Sequence, residues 1–164
     1  MAIYTAPINL RFTAATAADS SVWMVRAGAT KPLYIRRIVL FSGFDGTAAG
    51  TTMRMEIRRF RTATPSGGTV VVPIPKLVAS GASSAADCRQ ETTGAALTVT
   101  SVTFDNPLAS VGSCSRSVTG GIVAVNLDFV ASPIVLDVND GLTFRNAVAA
   151  VIGDSMAGYV EWEE

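Results

Sequence analysis

Apolar and polar residues alternate with a period of two over much of this chain, the spacing that sends successive side chains to opposite faces of a β-strand. The pattern is densest in LYIRRIVLFSGFDGTAAGTTMRMEIRRFRT, residues 33–62. Residues 33–41 are rich in β-branched and aromatic side chains. In the second half, Met53, Met55 and Ile57 fall on one face and Arg54, Glu56 and Arg58 on the other. Asp45-Gly46 and Gly50 supply turn residues between the two halves, so the stretch reads as a hairpin.

The flanking sequence continues in the same way. Ile8, Leu10 and Phe12 alternate in an opening strand, with Pro7 demoting its start to an edge or an extended arm. Residues 13–21 are small and polar and read as a loop, and VWMVR at 22–26 is a short strand. Pro65-Ser66-Gly67-Gly68 reads as an exposed turn, and residues 70–74 as an apolar strand ended by Pro73 and Pro75. Residues 79–96 lack apolar periodicity and read as a long loop with a helical turn at 85–89. The segment LTVTSVTF at 97–104 alternates, residues 110–121 form another small-residue loop, and IVAVNLDFV at 122–130 is a strand. Asn139-Asp140-Gly141 is a turn between residues 134–138 and 142–145. AVAAVI at 147–152 suits a buried strand, with helix as the alternative, and GYVEWEE closes the chain in alternation.

Eight to ten short strands without a convincing amphipathic helix predict an all-β fold. The version natural to this size is a two-sheet antiparallel β-sandwich, jelly-roll-like, with long loops; a closed up-and-down barrel is the competitor. The domain reading is residues 1–12 as an N-terminal strand or arm and 13–164 as a single jelly-roll sandwich. At 164 residues the chain can bury a core without metal or multiple disulfides.

Charge changes the picture more than composition does. The net charge is zero, yet residues 1–61 carry nine Lys/Arg against three Asp/Glu, and residues 62–164 carry four against ten. Neighbouring strands of one sandwich could neutralise each other, or the two signs could meet between molecules. Eleven of the thirteen basic residues are arginine, whose planar fork suits fixed interfaces better than the lysine ammonium does. Apolar runs fall far short of the roughly 18–20 residues a membrane helix needs, and no secretory signal is visible. Cys88 and Cys114 could form one disulfide, but a single pair implies no disulfide framework, and two buried free thiols are the favoured reading.

The inventory of reactive groups is thin. There is no histidine, which removes the commonest general base, the Ser–His and Cys–His pairs and the usual ligands of catalytic zinc. No phosphate-binding loop occurs; Gly43-Phe44-Asp45-Gly46 and Thr119-Gly120-Gly121 read as turns. Asp128, Asp137 and Asp140 are close enough in sequence for a carboxylate pair or a calcium site, but Asp137 and Asp140 flank a turn that favours Asp for backbone reasons. The expectation is no enzyme, no cofactor and no metal. Arg58-Arg59-Phe60-Arg61, with Phe60, Tyr34 or Phe44 for stacking, raises nucleic acid as a partner, and the neutral balance and pI near 6.3 argue against it.

The succession of an opening strand, the arginine-rich segment running into TATPSGGTVVVPIPK, a long small-residue loop and a closing GYVEWEE strand resembles tailed-phage head decoration, or cement, proteins of jelly-roll type. That resemblance implies a β-sandwich protomer assembled as trimers on the outside of an icosahedral capsid, made in the host bacterial cytoplasm, with itself and the major capsid protein as partners. The expected function is therefore non-enzymatic capsid decoration and stabilisation. A tail- or fibre-associated carbohydrate-binding β-sandwich module is the alternative. Candidate interface residues are Ile3 and Tyr4 on the opening arm, Arg36, Arg37, Arg54, Arg58, Arg59 and Arg61 on the basic strands, and Glu161, Glu163 and Glu164 on the acidic closing strand.

Overall fold

A computed structural model describes residues 2–13, 15–44, 52–61, 64–77, 83–92, 96–100, 104–115 and 123–164. Among these residues there is no helix, and the strands run in the order β1 (Ile3–Arg11), β2 (Ser21–Arg26), β3 (Leu33–Phe44), β4 (Thr52–Phe60), β5 (Thr64–Gly67), β6 (Thr69–Val70), β7 (Ile74–Leu77), β8 (Asp87–Gln90), β9 (Leu97–Thr100), β10 (Ala109–Ser115), β11 (Val123–Asp128), β12 (Ile134–Leu136), β13 (Gly141–Asn146) and β14 (Asp154–Glu163).

Eight of these strands form one long antiparallel ribbon in which the first half of the chain pairs with the second half reversed. β1 pairs with β14, β2 with β13, β3 with β11 and β4 with β10. Rolling the ribbon brings β3 against β14 and β4 against β13, which closes two sheets. The first has the order β11-β3-β14-β1-β7, with β12 also on β3; the second has the order β10-β4-β13-β2-β8-β6. This is the jelly-roll winding of a two-sheet sandwich.

The winding corrects several local readings. β3 and β4 are not a hairpin: consecutive strands of the roll alternate between sheets, so the arginine-rich stretch is split across both layers. The Gly-rich loop 45–51 and the turn at 119–121 lie outside the described residues. Asn139 does sit in a turn, at φ 68°, but it carries the chain from β12 in one sheet to β13 in the other. Asp87–Gln90, read as a helical turn, is a strand because the edge of β2 offers hydrogen bonds that outweigh weak local propensity. Thr64–Gly67 is likewise a strand, paired with β9 rather than an exposed turn. Ala109–Ser115 is the edge strand β10, and residues 147–152 form no strand, touching the rest through a bridge from Ala150 to Thr16.

The core lies between the sheets. Tyr4, Ile8 and Leu10 of β1, Ile35, Ile38 and Leu40 of β3, and Val160 and Trp162 of β14 face Trp23, Val25, Met55, Ile57, Leu142 and Phe144 of the second sheet. The Trp162 ring stacks on Tyr4 at 6.1 Å, and Trp23 meets Phe144 edge-on at 5.2 Å. The Trp23 indole N–H donates to the Pro7 carbonyl at 3.2 Å, which fastens β2 to β1 across the layers. Of the two readings of this segment, strand or arm, the described residues Ile3–Arg11 form the strand β1. Tyr4 is buried because its ring belongs to this core, and Pro7 is tolerated because β7 pairs only with the first residues of β1.

A smaller third layer covers the outer face of the second sheet. The two-stranded β5–β9 sheet buries Leu97 and Val99 against Met24 and Phe60, with Phe104 packed alongside. β2 is consequently apolar on both faces, the reason VWMV shows no alternation.

Candidate functional site

Each arginine singled out in the sequence has a partner inside the protomer. On β3, Arg36 pairs with Glu163 at 2.8 Å and Arg37 with Asp128 at 2.9 Å. On β4, Arg58 donates two hydrogen bonds to one oxygen of Glu56, at 2.9 and 2.7 Å, and Arg54 approaches the other oxygen at 3.5 Å. Arg59 reaches between the layers to the Val135 carbonyl of β12 at 2.6 Å, and Arg61 pairs with Asp105 at 3.3 Å. Through Arg36, Arg37 and Arg61 the two charge groups of the sequence therefore meet within one molecule, whereas Arg54 and Arg58 share the local Glu56. Such partly exposed pairs contribute little stability each.

The acidic closing strand does not meet the arginines of β4. Glu163 belongs to Arg36, Glu161 is buried beneath the Lys76 ammonium, and Glu164 accepts from the Ser84 hydroxyl and from the Trp162 indole N–H at 3.2 Å. Ile3 is half-buried beside Glu163 in the β1–β14 register. Phe60 of the Arg-Arg-Phe-Arg run is fully buried under the β5–β9 sheet, so it offers no ring for stacking on a base.

The remaining sequence candidates are also separated. Asp128 ends β11, where the Val130 amide and then Arg37 hold its carboxyl below the usual range; Asp140 is buried in the turn before β13, and Asp137 is exposed. Among the described residues no cluster of three or more Asp, Glu or Cys is placed to hold a metal ion, and no helix is long and apolar enough to cross a membrane. Cys88 is a free thiol, and burial pushes its pKa up. It sits on β8 and Cys114 on β10, four strand positions apart in one sheet. At about 4.8 Å per strand that is roughly 19 Å, whereas a disulfide needs Cα atoms within about 7 Å. The Cys88–Cys114 disulfide is thereby excluded in this fold.

The surface with functional character is one that no sequence motif marks. The second sheet is covered around Met24 and Phe60 by the β5–β9 sheet, whereas no described element packs over the outer face of the first. Alternation along β3, β14, β1 and β7 turns Tyr34, Val39, Phe41, Tyr159, Pro7 and Ile74 outward, and the register places Val39 beside Tyr159 and Tyr159 beside Pro7. Tyr34 is 39% exposed, Phe41 45%, Ile74 55% and Val135, next to Tyr34 on β12, 40%.

The charges on this face cancel in pairs: Arg36 with Glu163, Arg37 with Asp128, Lys76 with Glu161. The Tyr159 hydroxyl also accepts from Arg37. A groove of about 490 Å³ runs over Thr5, Pro7 and Gly158 between Tyr159 and the Ile74-Pro75 edge. The face is a neutral, largely apolar platform fastened by ion pairs, suited to contact with another surface or with an extended ligand. Phe41, Ile74 and Tyr159 were legible as strand residues, but only sheet order shows which side of them is left uncovered. Compared with protein-family models, with curated proteins and with solved structures, the chain returned no match in any of the three.

Proposed function

We propose that this chain is a non-enzymatic virion structural protein that decorates and stabilises a phage capsid, acting as a homotrimer and using the outer face of its β11-β3-β14-β1-β7 sheet as a contact surface. The observation that carries the reading is the unequal covering of the two sheets. One is roofed by the protein's own third layer, while the other leaves Tyr34, Phe41, Ile74 and Val135 open on a face whose charges are already paired. Apolar area left in water stabilises association when it is covered, by about 25 cal/mol per Å² before the costs of docking. The jelly-roll winding supports the reading as well, since it is the fold the resemblance implies.

The test is sedimentation of the protein alone and with purified phage heads stripped of it. Wild type should run as a trimer and pellet with the heads. Tyr34→Ser combined with Phe41→Ser should weaken both by at least tenfold while the melting temperature moves little. A lone protomer at high concentration that leaves the heads unbound overturns the proposal. One observation favours a carbohydrate-binding module as the second reading: Tyr34, Phe41 and Tyr159 share an open sheet face with carboxylates, the combination used to stack and hydrogen-bond sugars. A glycan array separates the two, since specific binding to one glycan class together with monomeric sedimentation supports this module.

A further inference from the structure

On the opposite side of the molecule, beside the β5–β9 sheet, a recess of about 450 Å³ is lined by the 15–21 loop, by β9 and by Glu91, Phe104 and Arg145. Its size is that of a small-molecule site. Backbone hydrogen bonds fasten its walls. Thr16 and Ala150 exchange two, Asp19 N–H donates to the Asn146 carbonyl at 2.6 Å, Asn146 N–H to Ser20 at 3.0 Å, and Glu91 N–H to Val22 at 2.8 Å. Asp19 takes the left-handed φ of 61° that bends the loop back over the recess.

The recess contains charges of both signs that are not paired with each other. Arg145 lies over the Phe104 ring at 4.3 Å, and its guanidinium donates to the Asp19 backbone carbonyl; among the described residues no carboxylate forms an ion pair with it, its cross-strand neighbour Glu56 being engaged by Arg58 and Arg54. The Glu91 carboxylate accepts from the Thr16 hydroxyl at 3.2 Å and, among the described residues, meets no cation. Burial raises the Glu91 pKa, with the Thr16 hydrogen bond opposing. Elsewhere on this protein Arg36, Arg37, Arg58, Arg61 and Arg89 each have a carboxylate. Leaving an opposite pair separated and partly desolvated in one recess costs free energy, which a ligand bearing the complementary charges offsets.

We propose that this recess binds a small zwitterion of the α-amino acid class, its carboxylate on the Arg145 guanidinium and its ammonium on Glu91, with Asp19 adding negative charge at the rim. Arginine placed over an aromatic ring presents its fork to a carboxylate, and Glu91 lines the same recess. The site is on the far side of the sandwich from the open sheet face, so it stands independently of the capsid reading.

The test is a backbone amide NMR titration of the whole chain with L-lysine, L-leucine and L-glutamate, with their Nα-acetylated and C-terminally amidated forms, and with glucose and galactose. At least one free amino acid should shift signals of residues 15–21, 91, 96–99 and 145 in a saturable way. Blocking either of its charged ends should weaken binding at least tenfold. Glu91→Gln should lose binding by a similar factor while melting no lower than wild type, and Arg145→Gln should do so provided its spectrum shows the native fold. The proposal is overturned if none of the amino acids saturates, if the blocked forms bind equally well, if only the sugars bind, or if Glu91→Gln binds like wild type.

Discussion

At the scale of single residues, burial decides what the chemistry can do. Cys88 is 1% exposed on β8, and its raised pKa leaves almost no thiolate at neutral pH. Iodoacetamide at pH 8 should therefore leave Cys88 unmodified in the native protein and alkylate it fully in denaturant, as read by peptide mass; rapid native labelling would contradict its placement. Glu91 carries a sign that can be worked out. Its folded pKa is raised, so the fold favours the protonated acid, and the associated stabilisation is present at low pH and lost as pH rises through the folded value. Glu91→Gln should melt above wild type at pH 7, with the gap closing below about pH 4, near the ordinary glutamate pKa. A variant that melts lower at pH 7 would mean the Thr16 hydrogen bond outweighs desolvation.

Gly141 shows the same dependence on surroundings. A Cβ there would lie 2.1 Å from the Phe60 ring, which rests on the backbone of β13. Gly141→Ala should cost roughly 1–3 kcal/mol as an overpacking change, and pairing it with Phe60→Leu should recover part of the loss in a double-mutant cycle. Strict additivity of the two substitutions would show that the ring does not rest there.

At the scale of elements, Arg58 and Arg59 are neighbours in sequence with different work. Arg58 lies along β4 against Glu56, while Arg59 crosses to a carbonyl of the other sheet. Arg58→Ala should change the melting temperature by less than the few degrees that about 1 kcal/mol represents at this chain length. Arg59→Ala should lower it further, because the Val135 carbonyl loses its donor. Equal effects on chemical denaturation would remove the distinction. The closing strand illustrates a different constraint. Gly158 sits at φ 151°, with the Val39 carbonyl 1.9 Å from where a Cβ would be, so β14 can lie against β3 only with glycine there.

At the scale of the whole molecule, the asymmetry between a roofed sheet and an open one organises the functional reading. The β5–β9 sheet should be needed for stability rather than assembly: Leu97→Ala should cost roughly 2–5 kcal/mol in unfolding experiments, since it opens the small cluster around Met24 and Phe60. Substitutions on the open face should do the reverse, moving sedimentation and leaving unfolding alone. If both faces respond identically, the division of labour between the sheets is wrong.

Sequence alone determined that this is an all-β chain. It also located the long strands, because the period of two, the β-branched runs and the Gly, Pro and Asn breaks are local properties, read within a few residues. Met55 and Ile57, Ile8 and Leu10, and Val160 and Trp162 were legible as buried faces for that reason. What it could not determine is which strand lies beside which. β1 meets β14 from the far end of the chain, and β3 and β4, adjacent in sequence, part into different sheets because the ribbon rolls as a unit. That rolling alone decided that Tyr4 is core rather than arm, that Arg36, Arg37 and Arg61 find carboxylates from the far half of the chain, and that Cys88 and Cys114 stay apart. It also brought Glu91 and Arg145 to one recess and left Phe41 and Ile74 facing water. Each of these is a long-range pairing, set by global burial and hydrogen-bond satisfaction, and so leaves no trace in any short window of residues.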